Sequence, residues 1–202
     1  MSTQKRSYEL RERARRQAET RRRIIEATVA LHEEKGPAAT TVAEIARRAD
    51  VSRLTVYNHF PTDGDLYAAC QRHYFTLTPL PDLGPALALA DAGARVRAVL
   101  ERLYRSYRRQ EPMTSKVLRD RGSLPALDDL LSRTLDSRQA MLADTLLDSL
   151  AADRATRKRA RAAIALALDF ATWQRLTRER LSDRDAAGLM AELVLGAATH
   201  VD

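Results

Sequence analysis

Thr40-Thr41-Val42-Ala43-Glu44-Ile45-Ala46-Arg47-Arg48-Ala49-Asp50-Val51-Ser52-Arg53-Leu54-Thr55-Val56-Tyr57-Asn58-His59-Phe60 is the stretch that decides the fold. Thr41 and Glu44 stand three residues apart, the spacing at which a threonine hydroxyl and a glutamate carboxylate each satisfy a free backbone N–H at a helix start. This predicts a short helix over about 42–48, with Ile45 and Ala46 turned inward. It ends by Asp50, a residue type that tolerates a left-handed turn. Ser52 then caps a second short helix, about 53–59. Two short helices meeting through a tight turn form a helix-turn-helix, whose second helix presents its N-terminal side chains to base edges in the major groove.

The flanks agree with this centre. Upstream, Ile24, Ala27, Thr28 and Leu31 fall at helical spacing before Gly36-Pro37 ends the segment. Downstream, Thr62-Asp63-Gly64-Asp65 opens a further helix at about Asp63. Ala46 is small where the two central helices would cross, and Ile45, Val51 and Val56 are apolar where they would pack.

The run Ile24-Ile25-x-Ala27-x-x-x-Leu31, Gly36, Thr40-Thr41-Val42-x-x-Ile45-Ala46, Val51-Ser52-x-x-Thr55-x-Tyr57-x-His59-Phe60 and Leu66 resembles the DNA-binding region of the TetR family of transcriptional regulators. The resemblance implies an all-α protein of about nine helices: a three-helix DNA-binding domain, then a helical ligand-binding and dimerisation domain. It places Thr41 beside a phosphate and Tyr57 and His59 on the DNA backbone. Phenol and imidazole groups suit that role, since each donates a hydrogen bond to a phosphate oxygen. Arg53 and Thr55 are the candidates for base edges, an arginine for guanine and a threonine for its hydroxyl and methyl. Leu54 either touches a thymine methyl or belongs to the core. Ser52 and Asn58 complete the expected DNA-contacting set.

Four positions depart from the family pattern: Asp50 for a turn glycine, His32 for an aromatic, Leu54 for a smaller residue, and Asp63 for a lysine that reaches a phosphate. A carboxylate at the last of these suits a helix N-terminus but repels DNA. Charge elsewhere offers a replacement. Residues 1–23 hold nine Lys or Arg against three acids, whereas residues 24–80 are net negative. A basic arm of this kind is attracted to a polyanion, and every phosphate it neutralises releases a counterion. It is expected to be disordered, with the DNA-binding domain over 24–76 and the effector and dimerisation domain over 77–202.

Composition narrows the remaining possibilities. Forty-five per cent apolar residues suffice for a core, and few glycines, prolines or aromatics favour helices. The lone Cys70 forms no internal disulfide, and the N-terminus lacks an apolar signal core, so the chain is expected to be cytoplasmic. The longest apolar runs are far short of a membrane span. No phosphate loop, nucleophile motif or metal-ligand spacing is present, so neither an enzyme nor a cofactor or metal site is expected.

In the C-terminal region, Pro and Gly over 78–85 predict a loop. Asp91 opens a helix stopped by Glu111-Pro112, and a short segment runs from Met113 to Arg121. Pro125 starts a helix to about Ala151, Asp153 another to about Arg180, and Ser182 the last. The last two helices are rich in small and apolar residues, and the final one is apolar around more of its circumference than a solvent-facing helix should be, which implies a partner surface. The family resemblance implies that these two helices pair with those of a second subunit, a homodimer suited to a palindromic operator. The family resemblance also implies a small-molecule effector pocket, for which Tyr104, Tyr107, Met113, Phe170 and Trp173 are candidates. The function expected is that of a repressor released from its operator by such an effector. The alternative is an architectural or adaptor protein that binds DNA without an effector.

Overall fold

The basic arm is not disordered: in the computed structural model it forms the first part of α1, a helix over Ser2–Lys35. The segment contains neither Gly nor Pro, and its Arg, Glu, Gln and Ala residues lose little freedom in a helix. Glutamates also sit one turn from arginines, with Arg22 2.7 Å from both Glu19 and Glu26 and Arg15 3.3 Å from Glu12. Propensity and local pairing therefore continue the helix upstream of Ile24, where the core no longer demands it. The structure describes residues 2–150 and 152–199, with side chains described from residue 6.

Among the described residues ten further helices follow: α2 (Val42–Arg48), α3 (Arg53–His59), α4 (Asp63–Leu77), α5 (Gly84–Leu87), α6 (Ala92–Asp120), α7 (Pro125–Leu131), α8 (Ser137–Asp148), α9 (Arg157–Leu168), α10 (Phe170–Arg178) and α11 (Asp183–Ala198). No strand occurs among the described residues. None of their helices is long and apolar enough to cross a membrane. The chain divides into two compact units, Met1–Pro79 with Pro112–Leu130 and Leu80–Glu111 with Leu131–Asp202. Residues 112–130, which the sequence reading assigns to the C-terminal region, thus pack with the N-terminal helices.

In the first unit, Ile24 and Leu31 of α1, Ile45 of α2, Val56 of α3 and Leu66 of α4 share one apolar core. Met113 joins it and is 7% exposed, so it packs in the core of the first unit. The cause is that α6 does not stop at Glu111-Pro112 but runs on to Asp120. An interior proline forfeits one helix hydrogen bond and crowds the preceding turn. Tertiary contacts beyond it offset that cost. Met113 and Val117 pack on the core, and the buried Asp120 carboxylate accepts the Ala38 N–H at 3.0 Å.

Asp120 and Arg119 grip the turn after α1. Arg119 donates to the Lys35 carbonyl at 3.1 Å and to the Asp120 carboxylate at 2.7 Å. Gly36 adopts a φ of +94°, and a Cβ there would lie 2.5 Å from both the Arg119 guanidinium and the Asp120 carboxylate. Only glycine meets both demands.

His32 is buried near this clamp, its ring 5.8 Å from that of Tyr67. Burial pulls its pKa down to about 4, against a smaller upward pull from Asp120. Unfolded chain takes up a proton below about 6.5, while the folded imidazole resists until about 4. The stability it contributes is therefore complete above 6.5 and is lost as pH falls through that window. Burial also pushes the Asp120 carboxyl upward, but the Arg119 and Ala38 hydrogen bonds outweigh this and hold it below its ordinary value. Its stability is lost at still lower pH. The melting temperature is expected to fall between pH 6.5 and 4, with up to about 3 kcal/mol carried by His32. His32→Phe should flatten that part of the profile. An equally steep profile in the variant would assign the effect elsewhere.

The second unit corrects three sequence expectations. The helix expected over 125–151 is interrupted by a π-helical turn at Ser132–Asp136, and Ala151 lies outside the described residues. Asp153 does not open its helix directly: its carboxylate accepts the Ala155 and Thr156 N–H groups, and α9 starts at Arg157. The helix expected to reach Arg180 breaks at Asp169, whose extended backbone (φ −74°, ψ 133°) ends α9 and whose carboxylate caps α10 through the Ala171 N–H. These breaks, with the short α5, raise the helix number above nine.

Candidate nucleic-acid interface

Side-chain caps start both helices of the α2–α3 pair. Thr41 Oγ1 accepts the Glu44 N–H at 3.3 Å, and Glu44 Oε2 accepts the Thr41 N–H at 3.0 Å, closing the expected capping box. Lys35 Nζ donates to Glu44 at 2.6 Å. This bond first, then those from Thr41, holds the Glu44 carboxyl down to about 2, so the box stays charged at neutral pH. Asp50 takes the left-handed turn with φ 53°, and the Val51 N–H donates back to the Ala46 carbonyl at 2.9 Å. Ser52 Oγ accepts the Thr55 N–H at 3.0 Å and starts α3.

The rotation of α3 follows from Val56 and Phe60, four residues apart and buried at 1% and 3% exposure. Turning them inward leaves Arg53, Leu54, Tyr57 and Asn58 facing solvent. Leu54 is 68% exposed and Tyr57 51%, which settles the open question for Leu54: it points outward. Thr41 and Ser52 are exposed, and Thr55 and His59 are half-buried. The side chains of Arg53, Tyr57, Asn58 and His59 make no hydrogen bond or ion pair among the described residues. Thr55 differs, because its hydroxyl lies 2.8 Å from that of Ser52. Asp63 is exposed at the first residue of α4, where Thr62 and Asp65 form a second capping box.

Sequence reasoning did not find the Arg119-Asp120 clamp on the turn before α2. No local pattern marks it, since its partners lie more than eighty positions away in the chain. It also missed Arg21, whose guanidinium lies 4.7 Å from the centroid of the Phe60 ring at the end of α3. Cys70 is buried, and burial pushes its thiol up to about 12, which leaves it unreactive. Among the described residues, no group of three or more His, Cys, Asp or Glu could hold a metal ion.

Four of the five residues expected at an effector pocket come together in the second unit. The Phe170 ring lies 5.3 Å from Tyr107 and from Trp173, and Tyr104 stacks on Tyr107 at 6.1 Å. Their polar tips are all engaged. The Tyr104 hydroxyl donates to the Ala167 carbonyl at 2.8 Å and that of Tyr107 to the Leu168 carbonyl at 2.6 Å. Trp173 Nε1 donates to Asp183 at 3.1 Å. The two carbonyls belong to the last turn of α9, which the break at Asp169 leaves without helical partners. The Ser106 hydroxyl, by contrast, is buried with no hydrogen-bond partner among the described residues.

Residues 24–70 match the family model for bacterial regulatory proteins of the tetR family, the stretch that holds the motif residues. The fold is tetR-like. It is similar to a TetR-like transcriptional regulator from Rhodococcus sp. RHA1, with a TM-score of 0.62 and 21% identity over 87% of this chain and 93% of that one. A second transcriptional regulator from that Rhodococcus aligns with a TM-score of 0.56 and 18% identity, over 88% of this chain and 95% of that one. A tetR-family regulator from Streptomyces coelicolor aligns with a TM-score of 0.56 and 23% identity, over 89% and 79%. No curated protein matches the chain by sequence.

Proposed function

We propose that this chain is a sequence-specific DNA-binding transcription regulator of the tetR family, a homodimeric repressor released from a palindromic operator by a small-molecule effector. The observation that carries the DNA-binding part is the state of α3: a doubly anchored helix whose outward side chains are chemically suited to DNA and engaged by nothing else. Arg53, Leu54 and Thr55 read base edges. Thr41, Ser52, Tyr57, Asn58 and His59 position the head on phosphates. Such a protein works where the chromosome is, in the cytoplasm, and carries out no catalysis.

Exposed leucines on two packed helices of the second unit, Leu166 on α9 and Leu189 and Leu193 on α11, support dimerisation. The effector part rests on the aromatic group and on the unpartnered Ser106 hydroxyl, a buried polar group that a ligand could satisfy. Release requires that the effector bind the DNA-free state more tightly than the bound one. Against it stands the engagement of every polar tip in the aromatic group, which favours the alternative of a DNA-binding architectural or adaptor protein without an effector.

Genomic footprinting, followed by melting and release assays with a compound collection, separates the two. Discrete palindromic sites and a compound that both raises the melting temperature and frees the operator are the expected result. Coating of DNA without sequence preference would overturn the regulator reading.

A further inference from the structure

The upstream turns of α1 leave an open groove against the recognition helix. One face of α1, including Glu9, Glu12, Arg13 and Arg16, forms one wall, and Thr55 and His59 of α3 form the other. The space is about 580 Å³, the volume of roughly twenty waters at ~30 Å³ each. That is room for a sugar-phosphate segment. The groove is open, and α1 reaches the core only from Ile24 onward, so packing of the core does not account for the helical extension.

We propose that this groove receives one phosphodiester strand of duplex DNA, so that α1 and α3 clamp the backbone flanking the bases that α3 reads. The proposal rests on the DNA-binding reading above and adds a site to it. Three observations point to this occupant. The groove is continuous with the interface, because Thr55 and His59 stand four residues apart on α3 and flank Tyr57 and Asn58. Its cations are available: Arg13 makes no ion pair among the described residues, and Arg16 lies only at 4.0 Å from Glu12. Its acids are partly covered, since Glu12 faces both Arg15, at 3.3 Å, and Arg16. Glu9 has no such partner among the described residues and opposes the strand, which gives the site an internal brake. The clamp also supplies backbone cations to a head that carries Asp63 at the start of α4.

The experiment measures binding of the full chain to an operator duplex and to a random duplex across a salt series. Replacing Arg13 and Arg16 together by Gln is expected to weaken binding to both duplexes about tenfold at 0.1 M salt and to lower the salt slope by about 2, the counterions of two phosphates. Glu9→Gln is expected to tighten binding about two- to threefold. Helix content and melting temperature should not change in either variant, which separates loss of contact from loss of structure. A cleavage reagent tethered to the single variant R13C, with Cys70 buried and unlabelled, should cut the backbone on one side of the operator. An unchanged slope, no effect of Glu9→Gln and no localised cutting would overturn the clamp while leaving the regulator reading intact. Failure of the parent chain to bind any duplex would overturn both.

Discussion

Replacing Leu189 and Leu193 together by Arg is expected to leave the protein monomeric and to lower affinity for a palindromic operator by two orders of magnitude or more. The two leucines lie one turn apart on α11, 39% and 51% exposed, while Ala187, Met190, Ala191 and Val194 bury the opposite face. In the proposed dimer the buried face serves the chain's own core and the exposed leucines the partner. Leu166 on α9, which packs against α11, is also exposed, at 54%. Because both leucines already meet solvent, arginines there cost the monomer little, yet each would bring a charge into a desolvated interface. The effect on DNA follows from geometry. A dimer holds its second head near the second half-site, and such linkage raises affinity about 10²- to 10⁴-fold over one head alone. Sedimentation and operator titration of the double variant check both halves. A variant that remains dimeric would place the interface elsewhere.

The reading head was legible in the sequence because its determinants are local. Thr41 with Glu44, Ser52 with Thr55, and Thr62 with Asp65 each act over three residues, and all three caps formed where spacing placed them. Val56, apolar where the two central helices were expected to pack, is buried there. What escaped was decided over distance or by competing local rules. Charge density suggested disorder for residues 1–23, but the absence of Gly and Pro and the Glu-Arg pairs decided for helix. Pro112 reads as a stop, yet Met113 and Asp120 anchor the turns beyond it, and Met113 packs in the first unit's core. Asp169 is an ordinary acid in sequence. Its backbone breaks one expected helix into two and frees the carbonyls that Tyr104 and Tyr107 bind.

Arg53→Ala is expected to lose about 1–3 kcal/mol at one base pair per half-site, roughly 5- to 150-fold in preference, while binding to random duplex changes little. Arg53 is the first residue of α3, exposed and without an internal partner among the described residues, at the end of the helix proposed to enter the major groove. A guanidinium there can pair bidentately with guanine, an arrangement that a phosphate contact would not make sequence-dependent. Tyr57→Phe supplies the contrast: losing one backbone contact should weaken all sequences alike. Selection from a randomised duplex pool, read for both variants, distinguishes the two patterns, and uniform loss with Arg53→Ala would reassign that side chain to phosphates. The same pool sharpens Thr55. Its hydroxyl is engaged with Ser52 at 2.8 Å, so the methyl is what remains to meet a base. Thr55→Val should therefore keep the preference at its base pair, whereas Thr55→Ser should lose it. The opposite order would mean that the hydroxyl leaves Ser52 on binding and reads the base itself.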